Sequence, residues 1–260
     1  MKAWVGGAEI AYEDKGRGRP IVFLHAFPLE LHMWDPQAEA LSSAFRVIRL
    51  DARGFGGSPP RNEPLTMDRI ADDAAALLDH LELSEAIVCG LSMGGYAALA
   101  FARRFSHRLE ALVLADTRAG NDSEDARRDR LALAAKVRAE GSRVAADAFV
   151  PKLVGETTHK ERPELVARVR RIILGNPPTG IATGLEGLAA RPDSAPFLGA
   201  IRAPTLVICG AEDVLTPPAE SEALQRAISG SRLEIVPRAG HLSNLENPAA
   251  FHTVLQAFLG

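Results

Sequence analysis

Ser92 is the residue whose surroundings most clearly predict chemistry. It lies in the pattern Gly-x-Ser-x-Gly, directly after the apolar run 86–89 and directly before the Ala-rich stretch 96–104. A short buried strand, a tight turn and a helix are the context in which this pattern presents a nucleophilic serine at a helix N-terminus. The pattern is short, so the alternative interpretation is a turn of small residues without chemistry.

The base that would activate this serine is predicted to be a histidine, because imidazole takes up a proton near neutral pH. Among the seven histidines, His241 follows the last predicted strand, 233–236, and Gly240 permits a tight turn before it. Ligands and chemistry collect at the carboxyl edge of open α/β sheets. We therefore predict His241 as the base; a loop histidine bonded to Glu246 is the alternative.

The histidine needs an acid that fixes its tautomer and stabilises the imidazolium. Asp213 follows the predicted strand 205–209 and so lies at the same sheet edge, giving the chain order serine, aspartate, histidine. Two rivals exist. Glu212 is adjacent but points elsewhere if Asp213 points inward, and Asp116 ends the predicted strand 112–116. Asp213 is favoured.

Acyl transfer also requires two N–H donors aimed at the developing oxyanion. Met93, the residue after the nucleophile, is predicted to supply one. The loop after the predicted strand 21–25 should supply the other, and Phe27 is its expected donor because Pro28 has no N–H. His25 is expected to hold this loop by hydrogen bonds.

The elements that must position these residues alternate between strands and helices, which implies a largely parallel sheet with helices on both faces. Predicted strands cover residues 9–13, 21–25, 47–51, 86–89, 112–116, 205–209 and 233–236, and predicted helices cover 67–81, 96–104, 219–227 and 248–259. Between 117 and 200 only helical patterns occur, at 124–140, 143–153, 163–174 and 177–190. We predict an α/β core made of residues 1–116 and 201–260, with an all-helical cap over 117–200.

Net charge, hydropathy and cysteine content limit which partners, compartments and cofactors are expected. The formal net charge of −3 gives no electrostatic reason for binding nucleic acid or an anionic membrane. No secretory signal and no apolar run of about 20 residues is visible, so a cytoplasmic protein is expected. Cys89 and Cys209 fall in predicted buried strands, and no Cys/His spacing suits a metal, so neither metal nor cofactor is expected. The oligomeric state is left open, a homodimer included.

Five motifs occur in order along the chain, and together they resemble the α/β-hydrolase fold family over nearly its whole length. They are His25-Ala26-Phe27-Pro28, the run Asp51 to Ser58, Gly90 to Gly95, Gly210 to Asp213, and Gly240 to Pro248. The chain is most similar to small carboxylesterases, 3-oxoadipate enol-lactonase-like hydrolases and cofactor-free haloperoxidases or perhydrolases. The resemblance implies a mostly parallel eight-stranded sheet with a helical cap. One departure is Ala26, where the family usually has glycine.

The expected activity is hydrolysis of a small carboxylic ester or lactone through an acyl-enzyme on Ser92. Family members that are dehalogenases or epoxide hydrolases carry aspartate at the nucleophile position, which this chain does not. Perhydrolysis stays open, since Pro28 follows Phe27 as in the haloperoxidase relatives. A C–C hydrolase or lyase on the same fold, and a degenerate hydrolase that only binds ligand, also stay open.

The substrate pocket is predicted only coarsely. Leu29, Trp34, Phe149 and Leu185 are expected to contact the substrate, although packing within the protein is an equal alternative for each. A substrate with a carboxylate would need a cation such as Arg118 or an arginine of the cap. Nothing in the sequence places such a cation inside the pocket.

Overall fold

The computed structural model describes residues 1–260, and its centre is one sheet of eight strands. The strands are β1 (Lys2–Val5), β2 (Ala8–Lys15), β3 (Pro20–Leu24), β4 (Arg46–Leu50), β5 (Ala86–Leu91), β6 (Leu109–Ala115), β7 (Thr205–Gly210) and β8 (Arg232–Val236). Their order is β1-β2-β4-β3-β5-β6-β7-β8. Only β1 with β2 and β2 with β4 pair antiparallel, so the predicted mostly parallel eight-stranded sheet is confirmed.

Eleven α-helices surround the sheet. They are α1 (Asp35–Leu41), α2 (Met67–His80), α3 (Met93–Arg104), α4 (Glu124–Glu140), α5 (Ser142–Leu153), α6 (Glu156–Glu161), α7 (Pro163–Gly175), α8 (Pro178–Ala189), α9 (Pro218–Ala227), α10 (Ser243–Glu246) and α11 (Pro248–Leu259). Short 3₁₀ helices cover Leu31–Trp34, Ser106–Arg108 and Ala195–Ala200. No helix combines the length and hydropathy that crossing a bilayer requires.

The central strands are apolar because helices cover both of their faces. Every residue of β5 and of β7 is buried, whereas β8, at the edge of the sheet, has one buried residue. Because β5, β6, β7 and β8 pair parallel, their carboxyl ends lie side by side, at the carboxyl edge of the sheet. The loops that follow these strands carry the candidate site.

All regular structure between β6 and β7 is helical, and α4 to α8 are called the helical segment below. The helices predicted at 124–140, 143–153 and 163–174 agree with α4, α5 and α7 within a residue. Ser123 begins α4 by accepting a hydrogen bond from the Ala126 N–H, as an N-cap serine should. The assignment of 117–200 to a separate cap domain stays a prediction.

Asn176, between α7 and α8, joins the helical segment to the loops of the sheet. Its Oδ1 accepts from the Gly56 N–H at 2.8 Å, and its Nδ2 donates to the Pro28 carbonyl at 2.9 Å. The backbones also touch nearby: a Cβ placed on Gly180 would lie 1.8 Å from the Gly54 carbonyl oxygen. The side chain of Asn176 is buried, so its bonds have little competition from water.

Replacing Asn176 with alanine should lower the free energy of unfolding by about 1–3 kcal/mol, because the Gly56 donor and the Pro28 acceptor would lose their partner. The measurement is the midpoint of urea-induced unfolding, monitored by circular dichroism. Asn121→Ala is the matched control, since Asn121 is exposed and its side chain makes no hydrogen bond. Equal midpoints for the two variants would contradict this role of Asn176.

Candidate active site

Ser92 lies in a strained turn between β5 and α3. Its φ of 56° and ψ of −112° are sparsely populated for a residue with a side chain. The turn is possible because its flanks are glycines: a Cβ on Gly90 would lie 2.0 Å from the Gly94 carbonyl oxygen, and a Cβ on Gly94 would lie 2.0 Å from the Leu24 carbonyl oxygen. The Thr117 hydroxyl donates to the Ser92 carbonyl at 3.0 Å and helps hold the turn.

A hydrogen-bonded chain connects Ser92 to a histidine and an aspartate. The Ser92 Oγ lies 2.7 Å from His241 Nε2, and His241 Nδ1 lies 2.8 Å from Asp213 Oδ2. Asp213 also accepts from the Leu215 N–H at 2.8 Å and from the Thr216 hydroxyl at 2.7 Å, which fixes its orientation. The structure thus brings together the three side chains that the sequence predicted to act together.

The charge state of Asp213 follows from these contacts. Burial acts to raise its pKa, but the His241 ring and the donors of Thr216 outweigh burial and hold the pKa below its usual range. Asp213 is therefore a carboxylate at neutral pH. A carboxylate bonded to Nδ1 requires the proton of neutral His241 to reside on that nitrogen, which leaves Nε2 as an acceptor facing Ser92.

The two rival acids have other partners. Glu212 accepts from the Thr157 N–H at 2.9 Å and from the Thr157 hydroxyl at 2.5 Å. Asp116 accepts from the Gly210 N–H at 2.8 Å. Neither carboxylate forms a hydrogen bond with His241.

Glu246 holds the loop that carries His241, a contribution that the sequence did not predict. Its carboxylate accepts from the Gly240 N–H at 2.9 Å, from the Leu242 N–H at 3.1 Å and from the Gly155 N–H at 2.7 Å. The first two donors flank His241. The alternative of a loop histidine bonded to Glu246 is therefore wrong, because Glu246 binds the neighbouring backbone and not the ring.

The predicted oxyanion donors lie on two different elements, because Met93 is the first residue of α3 and Phe27 lies in the loop after β3. The Met93 N–H begins α3, where helix N–H groups have no partner in the preceding turn. The Phe27 N–H donates to no acceptor within the protein, and Phe27 lines the same cavity as Ser92. Ala26 is fully buried, and its N–H contacts the Met33 sulfur at 3.1 Å, so the extra methyl group is accommodated.

Ser92 and His241 open onto a small cavity of about 80 Å³. One part of its wall is apolar, formed by Phe27, Phe149, Leu153, Leu188 and Leu215. The other part is polar, formed by Tyr96, Arg118, Arg130 and Thr216. Ser92 therefore lines a cavity whose wall combines apolar side chains with two arginines.

The sequence model of the α/β hydrolase fold family matches residues 19–248 of this chain. The chain belongs to the α/β-hydrolase fold family. A 3-oxoadipate enol-lactonase of Acinetobacter baylyi is 32% identical over 239 residues, which cover 92% of this chain and 88% of that protein. The predicted resemblance to this family is confirmed.

Two solved structures are similar over the whole chain. A thermophilic esterase from Thermogutta terrifontis, determined with malate bound, is 41% identical with a TM-score of 0.97, and the match covers 100% of this chain and 97% of that one. The enol-lactonase from Burkholderia xenovorans LB400 is 34% identical with a TM-score of 0.93, and the match covers 100% and 99%.

Of the four pocket residues predicted for this α/β hydrolase, only Phe149 lines the cavity; Leu29, Trp34 and Leu185 do not. All three are completely buried elsewhere. Trp34 ends the 3₁₀ helix Leu31–Trp34, which directs its ring into the core against Phe23, with 4.7 Å between ring centroids. The prediction that Trp34 lines the pocket is therefore wrong: it lies near the oxyanion loop in sequence, but the chain turns toward the core before it reaches Trp34.

The sequence predicted neither Tyr96 nor Arg130 in the cavity wall, and it named Arg118 without placing it. Arg118 follows β6 by three residues, so the sequence could have placed it at the carboxyl edge of the sheet, where Ser92 also lies. Arg130 lies on α4 and reaches the cavity only because of how the helical segment sits over the sheet. No local pattern specifies that packing.

Asp116 of this α/β hydrolase is a second buried acid next to the first. Burial and then the negative charge of Asp213 raise its pKa well above the usual range. Its other contact is with the Ser243 hydroxyl. Asp116 therefore takes up a proton more readily in the folded chain than in the unfolded chain.

Replacing Asp116 with asparagine should make stability less dependent on pH. Above about pH 4 the unfolded chain loses the Asp116 proton before the folded chain does, so stability falls as pH rises through this range. Asparagine keeps an oxygen for the Gly210 N–H and cannot ionise. We expect the free energy of unfolding of Asp116→Asn, relative to wild type, to increase from about pH 4 to about pH 8 in urea titrations.

The exposed Asp129, which forms no ion pair, provides the control Asp129→Asn. Its unfolding curve should follow that of the wild type at every pH. A constant difference between Asp116→Asn and wild type across the pH range would show that Asp116 is already ionised in the folded protein.

Proposed function

We propose that this protein is a serine hydrolase that cleaves small carboxylic esters or lactones through an acyl-enzyme. The observation that carries the proposal is the chain of hydrogen bonds from Ser92 Oγ through His241 to Asp213, opening on a small cavity. The relatives named as enol-lactonases and esterases, at 32–41% identity, support an enzyme that acts on ester bonds.

In the first half of the proposed reaction, Ser92 Oγ attacks the carbonyl carbon while His241 Nε2 takes the hydroxyl proton. Asp213 stabilises the imidazolium that forms, since its carboxylate already accepts the Nδ1 proton. The carbonyl oxygen becomes an oxyanion, and the N–H groups of Phe27 and Met93 are the proposed donors to it.

In the second half, the tetrahedral intermediate collapses, and the alcohol oxygen leaves with the proton held by His241. For a lactone, this oxygen stays attached to the acyl chain. A water molecule then gives a proton to His241 and attacks the carbonyl carbon of the acyl-enzyme. The bond from that carbon to Ser92 Oγ breaks, Oγ takes the proton back from His241, and the carboxylic acid is released. The net reaction consumes one water molecule and cleaves one ester bond, and every proton transfer passes through His241.

Replacing Ser92 with alanine should lower kcat/KM for p-nitrophenyl acetate and butyrate by about 10³-fold or more, because the nucleophile is removed. A fluorophosphonate probe should label the wild type at Ser92 and leave the variant unlabelled. Ser84→Ala is the control, since Ser84 is exposed and its hydroxyl makes no hydrogen bond.

Undiminished ester turnover in Ser92→Ala would contradict the proposed nucleophile. If the wild type neither turns over any ester or lactone nor reacts with the probe, the protein is better described as a ligand-binding member of the family.

Replacing Asp213 with asparagine should lower kcat about 10²- to 10⁴-fold, because an amide favours the wrong tautomer of His241 and cannot stabilise the imidazolium. Asp116→Asn is the matched variant: it changes a buried carboxyl group that forms no hydrogen bond with His241 and does not line the cavity. We expect it to keep most of the activity in the same assay. A larger loss in Asp116→Asn than in Asp213→Asn would assign the acid to Asp116.

A further inference from the structure

Three arginines surround the buried Asp122, and two of them, Arg118 and Arg130, line the cavity; we call the three arginines the arginine cluster. Asp122 Oδ1 lies 2.7 Å from Arg118 Nη2 and 3.3 Å from Arg191 Nη2, and Asp122 Oδ2 lies 2.5 Å from Arg130 Nε. The side chain of Asp122 is 1% exposed. A single carboxylate is thus shared among three guanidinium groups.

The charges within the arginine cluster do not balance. Three guanidinium groups remain protonated at any pH relevant to a protein, and one carboxylate offsets one of them, which leaves a formal excess of two positive charges. Glu220 is the other acid that acts on Arg118 electrostatically, but it forms no salt bridge with the cluster. Arg118 Nε and Arg191 Nε are buried and have no acceptor. Hydrogen-bond donors are therefore in surplus as well.

Arg191 has partners that account for its charge within the protein. Its guanidinium lies 3.9 Å from the centre of the Tyr96 ring and donates to the Gly120 carbonyl at 2.6 Å. Such a cation–π contact stabilises a desolvated guanidinium. Arg118 and Arg130 are different, because both line the cavity that contains Ser92. The excess positive charge is thus presented to whatever occupies the cavity.

The position of Arg118 relative to the nucleophile is fixed by the backbone. Its neighbour Thr117 donates to the Ser92 carbonyl, so the start of the Arg118 loop is attached to the turn that carries the serine. Another part of the cavity wall is apolar and includes Phe149 and Leu188. A ligand with a charged end and a short apolar stem matches this division.

We propose that Arg118 and Arg130 form a subsite for a carboxylate, and that the preferred substrates are esters or lactones carrying a free carboxylate a few bonds from the scissile carbonyl. The inference rests on the proposed function for the position of that carbonyl. A planar guanidinium can donate two parallel hydrogen bonds to a carboxylate, which makes arginine well suited to this task. Asp122 holds the two side chains in place and leaves part of their charge for the ligand.

The test compares the half-esters monomethyl succinate, glutarate and adipate with the corresponding dimethyl esters, which lack the charge. We expect the wild type to prefer the half-ester at one chain length. Arg130→Gln and Arg118→Gln should each lower that preference, taken as the ratio of kcat/KM values, by about 10- to 100-fold, mostly through KM. Arg127→Gln is the matched control, because it removes the same charge from an exposed position of α4 that forms no ion pair. It should leave kcat/KM unchanged for both the half-ester and the dimethyl ester.

Two results would overturn the subsite. One is a wild type that turns over dimethyl esters as efficiently as half-esters at every chain length. The other is an equal loss on both substrate types in Arg130→Gln, which is what a purely structural role of the arginine cluster would produce.

A binding measurement separates this proposal from the hydrolytic one. Calorimetry with Ser92→Ala needs no turnover: this variant should bind the preferred half-ester more tightly than the dimethyl ester, and the added change Arg130→Gln should remove the difference. Binding of this kind in a protein without esterase activity would uphold the subsite and reject the hydrolase. Ester hydrolysis that depends on Ser92, with no charge preference in either experiment, would do the reverse.

Discussion

The close approach of β5 and α3 around Ser92 is the constraint on which the rest of the site depends. Side chains at Gly90 or Gly94 would overlap backbone atoms, and Ser92 itself occupies a backbone conformation that L-residues avoid. Strain of this kind persists only where surrounding structure enforces it, and here a fully buried strand and its neighbours do so. As a result, the Ser92 hydroxyl lies at the carboxyl edge of the sheet, within hydrogen-bond distance of His241.

Charge is distributed unevenly around that hydroxyl. Asp213 and Asp116 are neighbours, yet donors from Thr216 and the His241 ring stabilise the ionised form of Asp213, whereas burial disfavours the ionised form of Asp116. The pKa values of these two carboxyl groups are therefore shifted in opposite directions, because His241 and Thr216 stabilise the charge of Asp213 whereas burial and the charge of Asp213 disfavour the charge of Asp116. In the wall of the cavity, Arg118 and Arg130 supply positive charge. The site is thus polarised from the acid toward the arginines.

Local pattern and chain order were sufficient to predict most of the fold and the Ser92, His241 and Asp213 set, because strand ends in a parallel sheet converge on one edge. What failed depended on contacts remote in sequence. Trp34 looked like a pocket residue, but a single 3₁₀ turn sends it into the core. Arg130 reaches the cavity through the docking of a helix more than 30 residues after Ser92. The sequence did not predict β1 because the apolar Trp4 faces solvent, so the residue types of this strand do not alternate although their burial does.

Glu246 has a consequence for how this scaffold can be altered. One of its oxygens accepts from the amide of Gly155, in the helical segment, while the other accepts from Gly240 and Leu242 on either side of His241. Any side chain at position 155 would collide with Glu212 and Gly240. A helical segment taken from another protein must therefore supply a glycine amide at this point, or Glu246 loses one of the hydrogen bonds that hold it against the loop of His241. The helical segment and the loop that carries His241 are therefore best exchanged between homologues as one unit.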